Sequence, residues 1–264
     1  MAEPTPVFLC FKWGQGYPCK YTNILFRALT DIMQSPFRFV CLTDDTDGLA
    51  EGIETFPLPD FKMDRGDWHK GMWPKLTAFA PGLLPPGTPV IMMDVDVVVL
   101  RDLTPMFDHL RTHGGLHIIR EIPDTLPRLF PKMFPKVLLS NSSVVGFRAG
   151  EQDHLFEMFR DKTFAEVCEF RNDQNFIHHH AKDRQSWPIG WMQSFKKDLA
   201  WHFPVSLVRP VPCPDDGYVV IFHGVPNPED MTRGPFKRWG SNEKFGFFPV
   251  SWIMTYWDKY SRRE

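Results

Sequence analysis

The 264-residue chain lacks a surplus of charge of either sign: 30 Lys and Arg stand against 32 Asp and Glu, a formal net charge of −2. A nucleic-acid binder usually carries a strong basic excess, so nothing here points to that class of partner. Long apolar runs are missing too; none approaches the ~20 residues a membrane-spanning helix needs. The opening Met-Ala-Glu-Pro-Thr-Pro has neither the basic stretch nor the apolar segment of a secretory leader. The five cysteines (Cys10, Cys19, Cys41, Cys168 and Cys213) are scattered and contain no CxxC pair. They read as reduced thiols of a cytosolic protein, not as a disulfide frame or zinc site. Internal repeats, low-complexity tracts and an evident linker are also absent, so one domain over residues 1–264 is the simplest reading. What the chain has in quantity is Pro (25) and Phe (24), with 43% hydrophobic residues. That combination predicts many ordered turns around a sizeable core rather than disorder.

The most informative stretch is Val90-Ile91-Met92-Met93-Asp94-Val95-Asp96-Val97-Val98-Val99-Leu100. Apart from two carboxylates it is wholly apolar and rich in β-branched residues, which predicts a strand buried on both faces. In an extended chain Asp94 and Asp96 point to the same side. Two anions so placed repel each other and cost desolvation when buried. A divalent cation between them reverses the sign, and Mg²⁺ or Mn²⁺ bound by one or two carboxylates fills its shell with waters and substrate phosphates. The alternative is a strand that ends in a solvated turn with both Asp facing water.

Strand and helix signals alternate along the rest of the chain. Val7–Phe11 reads as a strand running into the Gly-punctuated loop Lys12–Tyr17, Tyr21–Leu29 as a helix, and Phe37–Leu42 as a second strand stopping at Thr43-Asp44-Asp45. This is the opening of a doubly wound α/β domain, in which ligands bind beyond the carboxyl ends of the strands. A short edge strand is expected within 52–59, and Trp73–Phe79 starts a helix with Pro74 in its first turn. Further strands are expected at Leu116–Ile119, at Val137–Phe147 with an interruption by four polar residues, and at Tyr218–Phe222. Helices are expected at 151–160 and from Phe170 to Ile177. In the tail, Ile253, Tyr256, Trp257 and Tyr260 recur at helical spacing. They suit core packing, although Lys237, Arg238, Lys244 and Arg262 nearby leave docking at a membrane interface open.

Several side chains are candidates for chemistry. His223, at the end of an apolar strand and beside Gly224, which permits close backbone approach, is the candidate third metal ligand, or else an ordinary hydrogen-bonded strand-end His. Thr43, Asp44 and Asp45 sit where a base or ribose can be read, or cap a turn. Lys75 and Lys12 are placed to neutralise a diphosphate, or are solvated surface lysines. Asn141 can hold a sugar hydroxyl or belong to a Ser-satisfied turn. Asp173 and Gln174 can hold sugar hydroxyls or lie beneath the reacting carbon; the alternative for Asp173 is a helix N-cap. His178, His179 and His180 point apart on a helix and cannot converge on one ion.

Taken in order, these blocks resemble a known family. Met93-Asp94-Val95-Asp96 resembles the Asp-X-Asp motif of nucleotide-sugar-dependent glycosyltransferases with the GT-A fold. Leu42-Thr43-Asp44-Asp45, Ser140-Asn141-Ser142-Ser143-Val144, Asp173-Gln174 and His223-Gly224-Val225-Pro226-Asn227-Pro228 resemble successive blocks of the retaining, family-eight-like members. The resemblance spans roughly residues 7–230. It implies a Rossmann-like mixed α/β sheet with helices on both faces, the nucleotide-binding part at about 1–100 and the donor-sugar and acceptor part at about 101–264. It further implies that Asp94, Asp96 and His223 hold Mn²⁺ or Mg²⁺ on the diphosphate of a UDP-sugar. Lys75 would sit near the phosphates, while Asn141, Asp173 and Gln174 contact the donor sugar. The acceptor would be a glycan or a lipid-linked glycan, and the anomeric configuration would be retained. Two departures from the pattern stand out: Asn227 lies near the usual phosphate-binding Lys, and Ser143 stands where Gly is usual. Two rivals remain open at this point, a phosphatase of the haloacid-dehalogenase type, whose nucleophile motif is also Asp-X-Asp, and a non-catalytic module that binds nucleotide-sugars.

Overall fold

The structure is a computed structural model and describes residues 3–120, 140–222, 224–234, 236–241 and 244–261. The expected apolar runs form the sheet. Strands β1 (Val7–Lys12), β2 (Arg38–Thr43) and β3 (Glu54–Phe56) precede β4 (Pro89–Met93), the short β5 (Val98–Val99), β6 (Leu116–Arg120) and β7 (Ser140–Arg148). β8 (Arg184–Ser186), β9 (Met192–Ser194), β10 (Val219–Ile221) and the hairpin β11 (Trp239–Ser241) and β12 (Lys244–Gly246) follow. The main sheet has the order β3-β2-β1-β4-β7-β6-β8. β1 runs parallel to β2 and β4, but β7 runs antiparallel to both β4 and β6. The sheet is therefore mixed, as the resemblance implies. A second sheet, β5-β10-β9, lies beyond the end of β4.

Alternation along the central strands sends successive side chains to two cores. Val7, Leu9, Phe11, Val90, Met92, Val145 and Phe147 face one layer. That layer holds α3 (Asp153–Phe159), α5 (Asp173–His180) and a fully buried 3₁₀ helix, Trp73–Phe79. Between α3 and α5 lies the short α4 (Phe164–Val167). Phe8, Cys10, Ile91, Met93 and Val144 face the opposite layer of α1 (Cys19–Ile32), α2 (Thr104–His113) and α6 (Ser251–Ser261). Helices thus cover both faces. Among the described residues, no helix is long and apolar enough to cross a membrane.

Three expectations need correction. The run from Val90 to Leu100 is two strands and not one: β4 ends at Met93, and Asp94-Val95-Asp96 is a turn before β5. The chain leaves the sheet there because Val98 and Val99 pair with β10 instead. Conversely, Ser140–Ser143 do not interrupt β7. They continue its ladder, with a register shift opposite Ile118 and Ile119 of β6. The residues of that stretch before Ser140 lie outside the described residues, as does 123–135, which with four Pro reads from the sequence as a Pro-rich excursion. The third concerns the stretch 64–70, which reads from its polar residues and Gly66 as a loop and carries a 3₁₀ helix over Arg65–Lys70.

Candidate functional site

A cavity of about 560 Å³ opens beyond the carboxyl ends of β1 and β4. Because β7 runs the other way, its first residues reach the same edge, so Asn141, Ser142 and Ser143 share the cavity wall with Asp94, Val95 and Asp96. Phe11, Lys12, Trp13, Gly16 and Tyr17 come from β1 and the loop after it; His69, Lys70, Gly71, Met72 and Lys75 come from the approach to and first turn of the buried 3₁₀ helix; Arg171–Gln174 come from the start of α5; Phe222 and Gly224 follow β10. Met72 and Arg171 both line the cavity in the left-handed backbone region, at φ 55° and 66°. Non-glycine residues there cost about 1–3 kcal/mol each and gather at functional sites.

The electrostatics centre on Lys75. It is buried at 6% exposure, and its Nζ pairs with Asp94 Oδ1. Burial by itself would lower the ammonium, but the carboxylates of Asp94, Asp173 and Asp96 outweigh that and hold it up at about 12. Lys75 is therefore a fixed positive charge among three acids and not a solvated lysine. Asp96 is 6% exposed and accepts a hydrogen bond of 2.8 Å from the Tyr17 hydroxyl. Burial, followed by the neighbouring Asp94 charge, pushes its carboxyl up to about 7. The turn is thus not solvated, and one of its two carboxylates sits in an environment that opposes its charge. Asp173 is buried as well, and the Ser142 hydroxyl donates to its Oδ2 at 2.7 Å. Burial raises this carboxyl, against the opposing effect of Lys75. The N-cap of α5 is Asn172, whose side chain accepts from Asn175 N, so Asp173 is free of the capping role that was its alternative.

The structure thus brings Lys12, Lys75, Asp94, Asp96, Asn141, Asp173, Gln174 and Gly224 to one cavity. Gly224 has φ 68°, which glycine adopts without strain. Lys12 is buried and donates to the Asp45 carboxylate at 3.0 Å and to its carbonyl at 2.9 Å. Thr43 and Asp44 are not on the cavity wall. The Thr43 hydroxyl closes a turn onto Asp45, and Asp44 accepts from Gly14 N and pairs with Arg65. His223 lies outside the described residues. Asn227 caps the 3₁₀ helix Pro228–Thr232 and receives a 3.4 Å contact from Tyr17.

Tyr17 and Ser142 were not singled out from the sequence as parts of the site. Only the position of the Gly-punctuated loop after β1 pointed toward the first; the second lay within a polar block in which Asn141 drew the attention. Trp13 and His69, stacked at 6.1 Å and 29°, add an aromatic side to the cavity. The donor set suits a hard divalent cation: two carboxylates facing a cavity wide enough to admit phosphate oxygens and waters, the pattern of Mg²⁺ and Mn²⁺. Among the described residues, no three metal-ligating side chains converge.

No protein-family model matches the sequence, and no curated protein matches it. Solved structures do match. The galactosyltransferase LgtC, crystallised with donor and acceptor sugar analogs, is 12% identical, with 84% of this chain and 88% of that chain covered and a TM-score of 0.53. The glycosyltransferase GlyE of Streptococcus pneumoniae TIGR4 is 12% identical over 98% of this chain and 62% of its own, with a TM-score of 0.55. The bifunctional glycosyltransferase WbbM is 11% identical over 86% of this chain and 47% of its own, with a TM-score of 0.51. With its mixed sheet, its helices on both faces and this likeness, the chain has the GT-A fold of glycosyltransferases.

Proposed function

We propose that this chain transfers a sugar from a nucleotide-diphosphate donor, a UDP-sugar, to a hydroxyl of a glycan or lipid-linked acceptor, with retention at the anomeric carbon. The observation that carries the reading is the convergence of Asp94, Asp96, Lys75, Asn141, Asp173 and Gln174 on one cavity at the strand ends. The likeness to LgtC, whose structure holds donor and acceptor sugar analogs, supports it.

Asp94 and Asp96, with His223, would hold Mn²⁺ or Mg²⁺. When bound, that cation supplies Lewis-acid stabilisation of the departing diphosphate. Lys75 holds Asp94 in place and adds positive potential on the same side. Asn141 and Asp173 accept or donate hydrogen bonds to sugar hydroxyls, with Ser142 fixing the Asp173 carboxylate. Gln174 follows Asp173 at the start of α5, and its side-chain carbonyl stabilises positive charge at the anomeric centre. The acceptor oxygen bonds to the anomeric carbon as the bond to the diphosphate oxygen breaks, and the acceptor proton passes to that oxygen. Lys12 borders the nucleoside end, where Trp13 and His69 offer a flat ring face, and Asp44, off the cavity wall, holds the loop that carries Trp13 through Gly14 N. Residues up to about 100 serve the nucleotide and later ones the sugar and acceptor. With all five thiols free, the cytoplasm suits the chain.

The phosphatase reading needs an acidic metal-binding pair on another strand. Beyond Asp94 and Asp96, the described cavity wall offers only Asp173. The test is a thermal-shift screen against UDP-, GDP-, CMP- and dTDP-sugars with and without Mn²⁺, followed by turnover with the sugar that binds. A ligand well above its Kd raises Tm by a few degrees. The expected result is a rise that requires both Mn²⁺ and a UDP-sugar and is lost in Asp94→Ala. No rise with any nucleotide would overturn the reading.

A further inference from the structure

The C-terminal aromatic stripe that left membrane docking open is spent on the core: Ile253, Trp257 and Tyr260 are 0%, 2% and 5% exposed. Exposed apolar surface lies elsewhere. Of the eight large apolar side chains exposed among the described residues, five fall in two segments: Phe203, Val205 and Val208 in the first, Phe236 and Phe248 in the second. Val208 is 86% and Phe236 81% exposed, values that a side chain without a partner surface has no packing reason to keep.

The two segments form one face. The Phe203 ring stacks on Phe245 of β12 at 5.4 Å and 16°. Phe236 N donates to Phe247 O at 2.8 Å, and the Phe236 and Phe248 rings lie 6.0 Å apart. A cavity of about 260 Å³ between the segments is lined by Val208, Arg209 and Phe248, among others. The charge here is predominantly positive. Arg209 lies over the Trp201 ring at 4.0 Å, Arg238 over Phe245 at 4.1 Å, and Lys237 is exposed. Residues 201–211 and 236–250 carry Arg209, Lys237, Arg238 and Lys244 against a single carboxylate, Glu243, in a chain that is otherwise nearly balanced.

We propose that this face, residues 201–211 together with the β11–β12 hairpin, docks on an anionic lipid surface. Aromatic rings that carry guanidinium groups suit the headgroup boundary, where the rings enter the apolar edge and the cations meet lipid phosphates. Four cations against one carboxylate argue against a second copy as occupant, because a two-fold contact would set mostly cations against cations.

The experiment is co-sedimentation of the full chain with vesicles of phosphatidylcholine alone and of phosphatidylcholine with roughly 30 mol % phosphatidylglycerol. The expected result is about tenfold or greater partition onto the anionic vesicles, suppressed by about 0.5 M NaCl. Val208→Ser/Phe236→Ser lowers it about tenfold or more without moving Tm, since both side chains are exposed. Ile189→Ser, 86% exposed outside this face, changes nothing. Equal binding to both vesicles, or binding retained by the double variant, overturns the proposal. A dimer seen by light scattering and dissolved by the same double variant assigns the face to a second copy and overturns it too. None of these readings depends on turnover, so they stand apart from the test of sugar transfer.

Discussion

Asp96→Asn should make the protein more stable while removing its capacity for the cation. Asp96 titrates at about 7 in the fold and at about 3.9 in an unfolded chain. Below about pH 4 both states hold the proton and the fold loses nothing. Between about pH 4 and 7 the folded chain binds more protons than the unfolded one, so stability falls as pH rises. Above about pH 7 the cost is complete, on the order of 4 kcal/mol at 1.36 kcal/mol per pH unit. An Asn at this position keeps an oxygen for the Tyr17 hydroxyl, which now reaches Asp96 at 2.8 Å, and relieves the repulsion from Asp94. For a chain of this length the gain corresponds to a Tm increase on the order of 5–10 °C at pH 8 in EDTA, shrinking toward nothing at pH 4.5. If the proposed cation site is correct, Mn²⁺ at about 100 times its Kd should stabilise the native protein by about 2.7 kcal/mol and leave the variant where it was. Thermal and urea melts at the two pH values, with EDTA and with Mn²⁺, give all four quantities. An unchanged or lowered Tm at pH 8, or the same gain at both pH values, would refute the electrostatic account of Asp96.

Lys75→Met leaves Asp94 and the buried Asp173 without their shared cation, and should cost about 3–5 kcal/mol in urea unfolding; a loss below about 1 kcal/mol would show Lys75 to be less central than its position implies. Ser142→Ala removes the donor to Asp173 and should cost about 1–3 kcal/mol, read in the same melts. Gly146→Ala drives a methyl group into the Trp187 indole and Leu110 side chain and should destabilise by about 1–3 kcal/mol, an effect seen in Tm and absent from ligand affinity measured well below it.

What could be read from the sequence was what repeats locally. The alternation in Val7–Phe11 and Val90–Met93 gave strands with two buried faces, and the spacing of Ile253, Trp257 and Tyr260 gave a helix whose stripe packs inward. What could not be read depends on partners far along the chain. Ser140–Ser143 look like a break because strands rarely carry four polar residues in a row. They remain in the strand because Ser140 and Asn141 pair with Arg120 and Ile119 of β6 and the Ser143 carbonyl accepts from Asp94 N just past β4, while their side chains serve the cavity and His178. Asp94 and Asp96 were expected inside one strand running to Leu100, yet β4 ends at Met93 just before them and β5 turns away to meet β10, which is 120 residues later. Lys75 could not be told from a surface lysine, since only the folded chain buries all seven residues of Trp73–Phe79 around it. Convergence on one cavity was legible only as an order of blocks; the geometry that joins them is tertiary.

The closure of α6 onto α1 has a consequence for the order of folding. Tyr21 meets Trp257 edge-on at 5.0 Å, Arg27 donates to the Tyr260 carbonyl, and Lys259 and Tyr260 both reach Asp31. The apolar side of the first helix is therefore sealed by the last one. On a ribosome adding about 5–20 residues per second, α1 emerges roughly 10–50 s before its cover is made. For that interval the nascent chain presents uncovered apolar surface, a natural target for a holdase chaperone, and the native core can close only when synthesis has passed α6.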